Sequence, residues 1–418
     1  MSDQQPPYSS DPSSYTSLSP PLERAALEGL RVVEIAQLIA GPMVGSFLAD
    51  FGADVVHVED KKHGDPARYT GLAKDGVYLW WKVSGRNKRS VTLDLRTSEG
   101  QDVARRLCQW ADVVITNFRY DTLTRWGLDW ESLHAVNPQL IMCQITGFGA
   151  TSSQRNRPGF GKVGEAMSGV VHITGFPDGP PVHTGFSHAD SITGLFGAFA
   201  VQTALYRKSN DAKFAGEYID LALFEGLYRL IEWQVIVYDQ LGVAPMRAGN
   251  QLSNAPAAVI NMYESGDGQW ITVTTGTWKS VQKVADLLGE PADDYATPEL
   301  QFERRDHLDE LLRHYVGSRD TADVLDAMEQ AEVVASVIYD VADIVSDRTY
   351  IEREDVITVD DAELGPVRMQ AVLPKLSNHG GRVWRTGPAL GEDNELVYKK
   401  YLGMSDPEYD RLVEADVI

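Results

Sequence analysis

Between residues 29 and 59 the chain sets short β-rich runs around one apolar helical stripe. RVVEIA reads as a strand, IAGP as a turn, and ADVVHVE as a second buried strand. Between them, MVGSFLADFG has apolar residues at helical spacing, with Gly52 at its C-terminal cap. Strand, helix and strand in this order imply a parallel pair with a right-handed crossover. The pattern then repeats. KRSVTLDL is a strand, TSEGQDVARRLCQWA an amphipathic helix with Thr97 or Ser98 at its N-cap, and ADVVITNF a strand. A short helix at DWESLHAVN leads into the strand LIMCQITGFG. These elements predict a doubly wound α/β domain over residues 27–230.

Further along, Asp190 to Tyr206 is apolar on nearly all sides and reads as a buried helix. Glu217 to Asp239 reads as another helical run. A smaller α/β section starts near Ala257, with AVINMYES and QWITVTTG as a hairpin-like pair around a GDG turn. Helices at WKSVQKVADLLG and HLDELLRHYVGS follow, and a charged helical tail spans Asp406 to Ala415.

Composition narrows the function. The chain has 418 residues and a net charge of −22, with 60 acidic against 38 basic side chains. That balance argues against nucleic acid as a partner, because phosphate backbones need a concentrated basic surface. A local Arg/Lys cluster can still hold a small anionic ligand. The two cysteines, Cys108 and Cys143, form no CxxC pair, so neither a disulfide scaffold nor a zinc site is expected. Residues 1–26 are rich in Ser and Pro, lack an apolar h-region and read as a disordered tail. No run of about 18 apolar residues exists, so no membrane span is expected and a cytoplasmic location fits. The first strand is not followed by GxGxxG, so a dinucleotide cofactor is poorly supported.

Six pieces of the chain, in order, resemble the class III CoA-transferases of the formyl-CoA transferase and L-carnitine CoA-transferase type. They are LIAGPMVGSFLADFGADVVHVE, NKRSVTLDL with ADVVITNF, RWGLDWESLHAVNPQLIMCQITGFG, PGFGKVGEAMSGVVHITGFPDGPP, ADSITGL and PALGEDNELVYKKYLG. The resemblance covers about residues 27–418. It implies a Rossmann-like large domain over 27–230, a linker and small domain over 231–345, and a C-terminal segment, 346–418, that returns to the large domain. It also implies a homodimer of interlocked rings.

The same resemblance assigns the chemistry. Asp190 in HADSITGL matches the catalytic aspartate, which attacks an acyl-CoA thioester and carries CoA covalently before passing it to an incoming acid. The substrates implied are an acyl-CoA and a small carboxylic acid, with no permanently bound cofactor. A helix opening with Ser191, Thr193 and Gly194 would hold Asp190 ionised. The positions matching CoA contacts are Ala40 (with Gly41 and Pro42), Lys88, Arg89, Leu93, Leu95, Asn117, Phe118, Arg125 and Trp126. Arg forks onto phosphate and aromatic rings stack on adenine.

Departures from the family pattern point to the acceptor pocket. Ile39 replaces a Gln before the AGP turn, and Gly161 replaces an acidic residue after PGF. Glu165 could stand in for that acid. The glycine-rich flap is absent, and RAGNQLSNAPAAV occupies its place, so formate or oxalate specificity is not carried over. His172, His183 and His188 cluster in sequence at spacings that fit no compact metal motif; His188 could line the acceptor pocket. Two other readings share the pattern. An acyl-CoA racemase needs a histidine where Phe160 stands. A low-activity CoA-binding subunit would lack the aspartate that this chain retains.

Overall fold

The computed structural model describes residues 25–252, 255 and 257–418. Of the expected 1–26 tail, residues 1–24 lie outside these; Ala26 opens a turn, and Leu27 N donates to Phe51 O at 2.9 Å. Ser253, Asn254 and Pro256 of the RAGNQLSNAPAAV segment lie outside them too. The chain divides into two units. The first comprises 25–168, 185–230 and 349–418; the second comprises 169–184 and 231–348. The stretch 169–184, which the pattern left in the large domain, thus belongs with the second unit.

The first unit is built on β1 (Arg31–Ile35), β2 (Asp54–Glu59), the two-residue pair β3 (Ala73–Lys74) and β4 (Val77–Tyr78), β5 (Lys88–Thr92), β6 (Val113–Thr116), β7 (Ile141–Thr146) and β8 (Glu217–Ala222). Six of these form one parallel sheet in the order β5-β2-β1-β6-β7-β8. Counted along the chain this is 3-2-1-4-5-6, the doubly wound order, whose direction reverses between β1 and β6. Both faces are covered, so the central strands are apolar throughout: Val32, Val33, Val55, Val56, Val113 and Ile115 are fully buried. Cys108 and Cys143 lie in these cores, and burial pushes both thiols up to about 12.

Three expectations change. Glu217–Ala222 is a strand, paired from Ile141↔Glu217 to Thr146↔Ala222, and helix resumes only at Glu225–Leu230 and Trp233–Leu241. Its residues alternate: Tyr218 packs on one core, Ile219 and Leu221 on the other. Pairing with β7 therefore wins over the helical reading. The AGP "turn" is the first turn of the Ala40–Asp50 helix, where Pro42 costs no hydrogen bond because first-turn amides have no intrahelical acceptor. Finally, the helix expected to be buried all round runs from His188 to Asn210 and exposes Leu195, Phe199 and Tyr206. Of the two proposed N-caps for the Ser98–Trp110 helix, Thr97 fills the role, accepting from Gly100 N at 3.0 Å.

The 349–418 segment covers the open edge of β5. Asp393 accepts from Ser90 N at 3.0 Å, Asn394 from Thr92 N at 2.9 Å, and the Tyr398 hydroxyl donates to Thr92 O at 2.8 Å. An edge strand so occupied cannot recruit another chain. The segment also carries the antiparallel hairpin β12 (Val356–Asp361) and β13 (Gly365–Gln370). In the second unit, β9 (Ile260–Glu264), β10 (Trp270–Thr274) and β11 (Ala335–Val337) form an antiparallel sheet in the order β11-β10-β9. Helices Trp278–Leu288, Pro298–Gly317 and Thr321–Gln330 close its core through Val281, Val284, Leu308, Leu312 and Val324.

Charges interrupt the apolar strands of the first unit and meet in one group. Glu34 of β1 accepts from Lys88 Nζ of β5 at 2.9 and 3.1 Å, and lies 2.5 Å from His57 Nδ1 of β2. Lys88 Nζ also donates to Pro42 O at 2.6 Å, in the first turn of the Ala40–Asp50 helix. Glu34 is wholly buried, and Lys88 and His57 are each 1% exposed. Removing one partner of such a group strands the others in low dielectric. Lys88→Ala should therefore lower the unfolding free energy by about 3–5 kcal/mol. Urea denaturation would read this as a lower midpoint at unchanged slope; an unchanged midpoint would refute it.

Candidate active site

The switch point lies at the C-terminal ends of β1 and β6, where an open α/β sheet forms its ligand crevice. Asn117, just after β6, ties its two lips together. Its side chain accepts from Gln37 N at 2.9 Å and donates to Gln37 O at 2.7 Å. Gly41 sits against it: a Cβ there would fall 3.5 Å from the Asn117 side chain and 2.6 Å from Ala36 Cβ.

Asp190 reaches this region through close helix packing. It lies in the first turn of the His188–Asn210 helix, whose N-cap is Ser187, so it is not the capping residue. One turn on, a Cβ at Gly194 would fall 2.8 Å from Met43 Cβ and 3.1 Å from Ala40 O. A Cβ at Gly197 would fall 2.7 Å from Val44 Cγ2. Two glycines thus let this helix press against the backbone of the Ala40–Asp50 helix, beside the switch point.

The carboxylate of Asp190 has its own close neighbour. A Cβ at Gly161 would fall 1.9 Å from Asp190 Oδ2, so a side chain fits there only if the Asp190 carboxylate moves aside. An acidic side chain at 161 is therefore excluded while Asp190 stays as it is. The second carboxylate comes instead from Glu165, one turn along the Gly161–Met167 helix. It is 1% exposed, not a surface residue, and accepts from Lys162 Nζ at 2.9 and 3.0 Å and from His188 N at 3.2 Å.

Burial is the main reason that the Asp190 carboxyl is pushed up to about 6, and the negative charge of Glu165 adds to it. The helix-terminal backbone amide and Lys162 act in the opposite direction and are outweighed. The helix terminus expected to hold Asp190 ionised does favour its charged form, but burial and Glu165 outweigh it. The carboxylate is charged at neutral pH but poorly stabilised, which suits a nucleophile.

The other nominated residues separate into two groups. Phe118 and Trp126 meet edge-on, ring centroids 5.0 Å apart, and Arg125 is exposed on the Tyr120–Trp126 helix, donating to Thr122 Oγ1 at 3.2 Å. Ala40 opens its helix, and Ile39 and Leu95 are half-buried. Arg89 pairs with Asp54 at 2.7 Å. Lys88 and Leu93 are corrected to interior roles. Each is 1% exposed, Lys88 committed to Glu34 and Leu93 to the core beneath the Ser98–Trp110 helix. Because side chains alternate along a strand, Lys88 and Arg89 cannot serve one site together.

His172 and His183 are exposed in the second unit and His188 belongs to the first, so the three do not form one group within a unit. His188 Nδ1 is shielded, without a hydrogen-bond partner among the described residues. Sequence reading missed Lys162 and the buried Glu34, His57 and Asp65. The signal for Glu34 and His57 was a charge inside an otherwise apolar strand.

Fold and site describe a doubly wound α/β protein with a half-buried carboxylate beside its switch point. The CoA-transferase family III model matches residues 27–394. The chain is 40% identical over 398 residues to the succinyl-CoA–D-citramalate CoA-transferase of Chloroflexus aurantiacus, covering 94% of this chain and 98% of that one. It is 35% identical to the beta subunit of the succinyl-CoA–L-malate CoA-transferase of the same organism, with coverages of 94% and 98%. A crystal structure of a CAIB/BAIF family protein from Brucella suis superposes with a TM-score of 0.79 at 33% identity, covering 91% of this chain and all of that one. This chain belongs to CoA-transferase family III and is an enzyme of that class. Among the described residues no helix is long and apolar enough to cross a membrane.

If Asp190 must be ionised to react, kcat/KM should rise with pH through about 6. Glu165→Gln removes the like charge, so the acid limb should move to lower pH, by less than the full displacement because burial is the larger cause. An unmoved limb in the variant would separate Glu165 from Asp190.

Proposed function

We propose that this enzyme moves CoA from succinyl-CoA to a small dicarboxylic acid, with Asp190 as the covalent carrier. The observation that carries the proposal is the half-buried Asp190 carboxylate, lodged against Gly161 in the first turn of a helix that packs beside the switch point. No side-chain donor among the described residues bonds to it, so its lone pairs are available for attack. The donor and acceptor class is supported by the relatives that act with succinyl-CoA on D-citramalate and L-malate.

The reaction proceeds in four displacements. An Asp190 oxygen bonds to the thioester carbonyl carbon, and the C–S bond breaks. This gives a mixed anhydride and CoA thiolate. The thiolate then attacks the Asp190 carbonyl carbon of the anhydride, releasing succinate and leaving an aspartyl-CoA thioester. The acceptor carboxylate attacks that thioester, expelling thiolate and forming a second anhydride. Thiolate attack on the acceptor acyl carbon yields the product thioester and restores the Asp190 carboxylate. No proton is gained or lost, so the site needs a dry, correctly placed carboxylate more than an acid or base.

For the nucleotide end, Arg125 offers an exposed guanidinium fork for phosphate, and Phe118 with Trp126 an aromatic surface for adenine. Ala40 and Asn117 frame the approach of the pantetheine arm, and Leu95 and Arg89 flank the edge. Ile39 and His188 line the acceptor side with Gly161 and Glu165. We also infer a homodimer: Leu195, Phe199 and Tyr206 form an exposed apolar stripe along one helix face, which a second copy would cover.

Initial rates with succinyl-CoA and L-malate should give parallel double-reciprocal lines, the mark of a covalent carrier. Asp190→Ala should lose about a thousandfold or more in transfer while binding CoA within a few-fold of wild type by calorimetry. Loss of both together would make Asp190 structural, and full activity in the variant would remove it from the chemistry.

A further inference from the structure

The lip of the crevice contains one strained residue. Leu38, between β1 and the Ala40–Asp50 helix, has φ of 64°. Residues with a branched side chain rarely occupy this left-handed region unless their surroundings impose it. What imposes it is Asp65, whose carboxylate oxygens accept from Leu38 N at 3.0 and 3.1 Å. Asp65 is itself fixed on every side. Its Oδ1 accepts from Ala67 N at 2.7 Å, its own amide donates to Glu59 Oε2 at 2.9 Å, and its Oδ2 lies 3.2 Å from His57 Nε2.

His57 fixes Asp65 from within the sheet. The groups facing it are Glu34, Glu59 and Asp65, with the Trp81 ring 5.7 Å away and Lys88 and Arg68 paired to the first two. Burial alone would lower its pKa, but Glu34, Asp65 and Glu59 overcome this and raise it to about 9. The imidazole therefore carries a proton at neutral pH, and Asp65, lowered by the same contact, carries its negative charge. Neither residue is part of the covalent chemistry, and both are buried.

We propose that Asp65 is a positioning residue for the transfer reaction: by gripping the Leu38 amide, and being gripped by His57, it holds the 37–39 turn in the conformation that admits the acyl-CoA. The proposal rests on the reading that the switch-point crevice binds acyl-CoA. Without the grip, Leu38 relaxes to negative φ, the competent fraction of enzyme falls, and the apparent affinity falls by the same fraction. Glycine has no Cβ and adopts the left-handed conformation freely. Leu38→Gly should therefore make the grip unnecessary.

The test compares wild type, Asp65→Ala, Leu38→Gly and the double variant with succinyl-CoA and L-malate. Asp65→Ala should raise KM for succinyl-CoA about five- to thirtyfold, with a smaller effect on kcat. The double variant should return to about the KM of Leu38→Gly alone, a rescue that a merely destabilised fold would not show. An unchanged KM in Asp65→Ala, or a double variant as impaired as Asp65→Ala, overturns the proposal. Should Asp65→Ala fail to fold, Asp65→Asn keeps an oxygen for the Leu38 amide but drops the charge facing His57. It should give a smaller rise in KM that Leu38→Gly abolishes, and no rise overturns the role. CoA binding by calorimetry on the same proteins keeps the two claims apart. The Asp65 effect appears in Kd whether or not malate is the true acceptor, whereas a wild type that binds no CoA overturns the underlying reading.

Discussion

The shape of the crevice at the switch point depends on one buried group of charges. Glu34, near the end of β1, faces His57 across on the neighbouring strand β2, and Lys88 reaches the same carboxylate from β5, one strand further along on that side. Three carboxylates (Glu34, Glu59, Asp65) meet three cations (Lys88, Arg68, His57), so the cluster is neutral overall and each charge has a partner in low dielectric. Apolar residues of equal volume could hold the strands together as well. They could not reach out of the sheet as these do. Lys88 grips the first turn of the Ala40–Asp50 helix through Pro42 O. Glu34 also packs so tightly against that helix that a Cβ at Gly45 would fall 1.9 Å from its Oε2. The sheet thereby fixes the start of the helix that frames the crevice, and that helix in turn receives Gly194 and Gly197 of the helix bearing Asp190.

Asp190 shows how the same environment can favour and oppose one charge. The helix terminus and Lys162 stabilise its carboxylate, while burial and Glu165 destabilise it, and destabilisation wins. A fully satisfied carboxylate would be a weak nucleophile, and an unstabilised one would bind a proton at neutral pH. Burial sets most of this balance, and Glu165, tied to Lys162, adds to it. Gly161 contributes by absence: any side chain there would occupy the space where the aspartyl oxygen lies.

Much of the fold was legible in the sequence. Val-rich runs separated by amphipathic helices specify a parallel sheet, and the chain positions of β1, β2, β5, β6 and β7 follow from them. β8 was not legible, because EYIDLA is short and its neighbours are helical; pairing with β7 decides its state, and sequence periodicity does not contain that partner. Asp190 is nominated by resemblance alone, since locally it looks like a helix cap. The departure at Gly161 was visible as a missing acid, but its reason, contact with a residue 29 positions along (190 − 161), exists only in three dimensions. Lys88 was misjudged for the same reason: a lysine at the start of a strand usually faces solvent, and here Glu34 draws it inside.

The central claim is that Asp190 carries CoA covalently. The most direct measurement incubates the enzyme with succinyl-CoA, reduces it with borohydride and determines the mass of the peptide containing residue 190. A thioester at Asp190 is reduced to the alcohol, so the account predicts homoserine at position 190 in enzyme exposed to succinyl-CoA and aspartate in enzyme that was not. Unmodified Asp190 in an enzyme that is transferring CoA would contradict it.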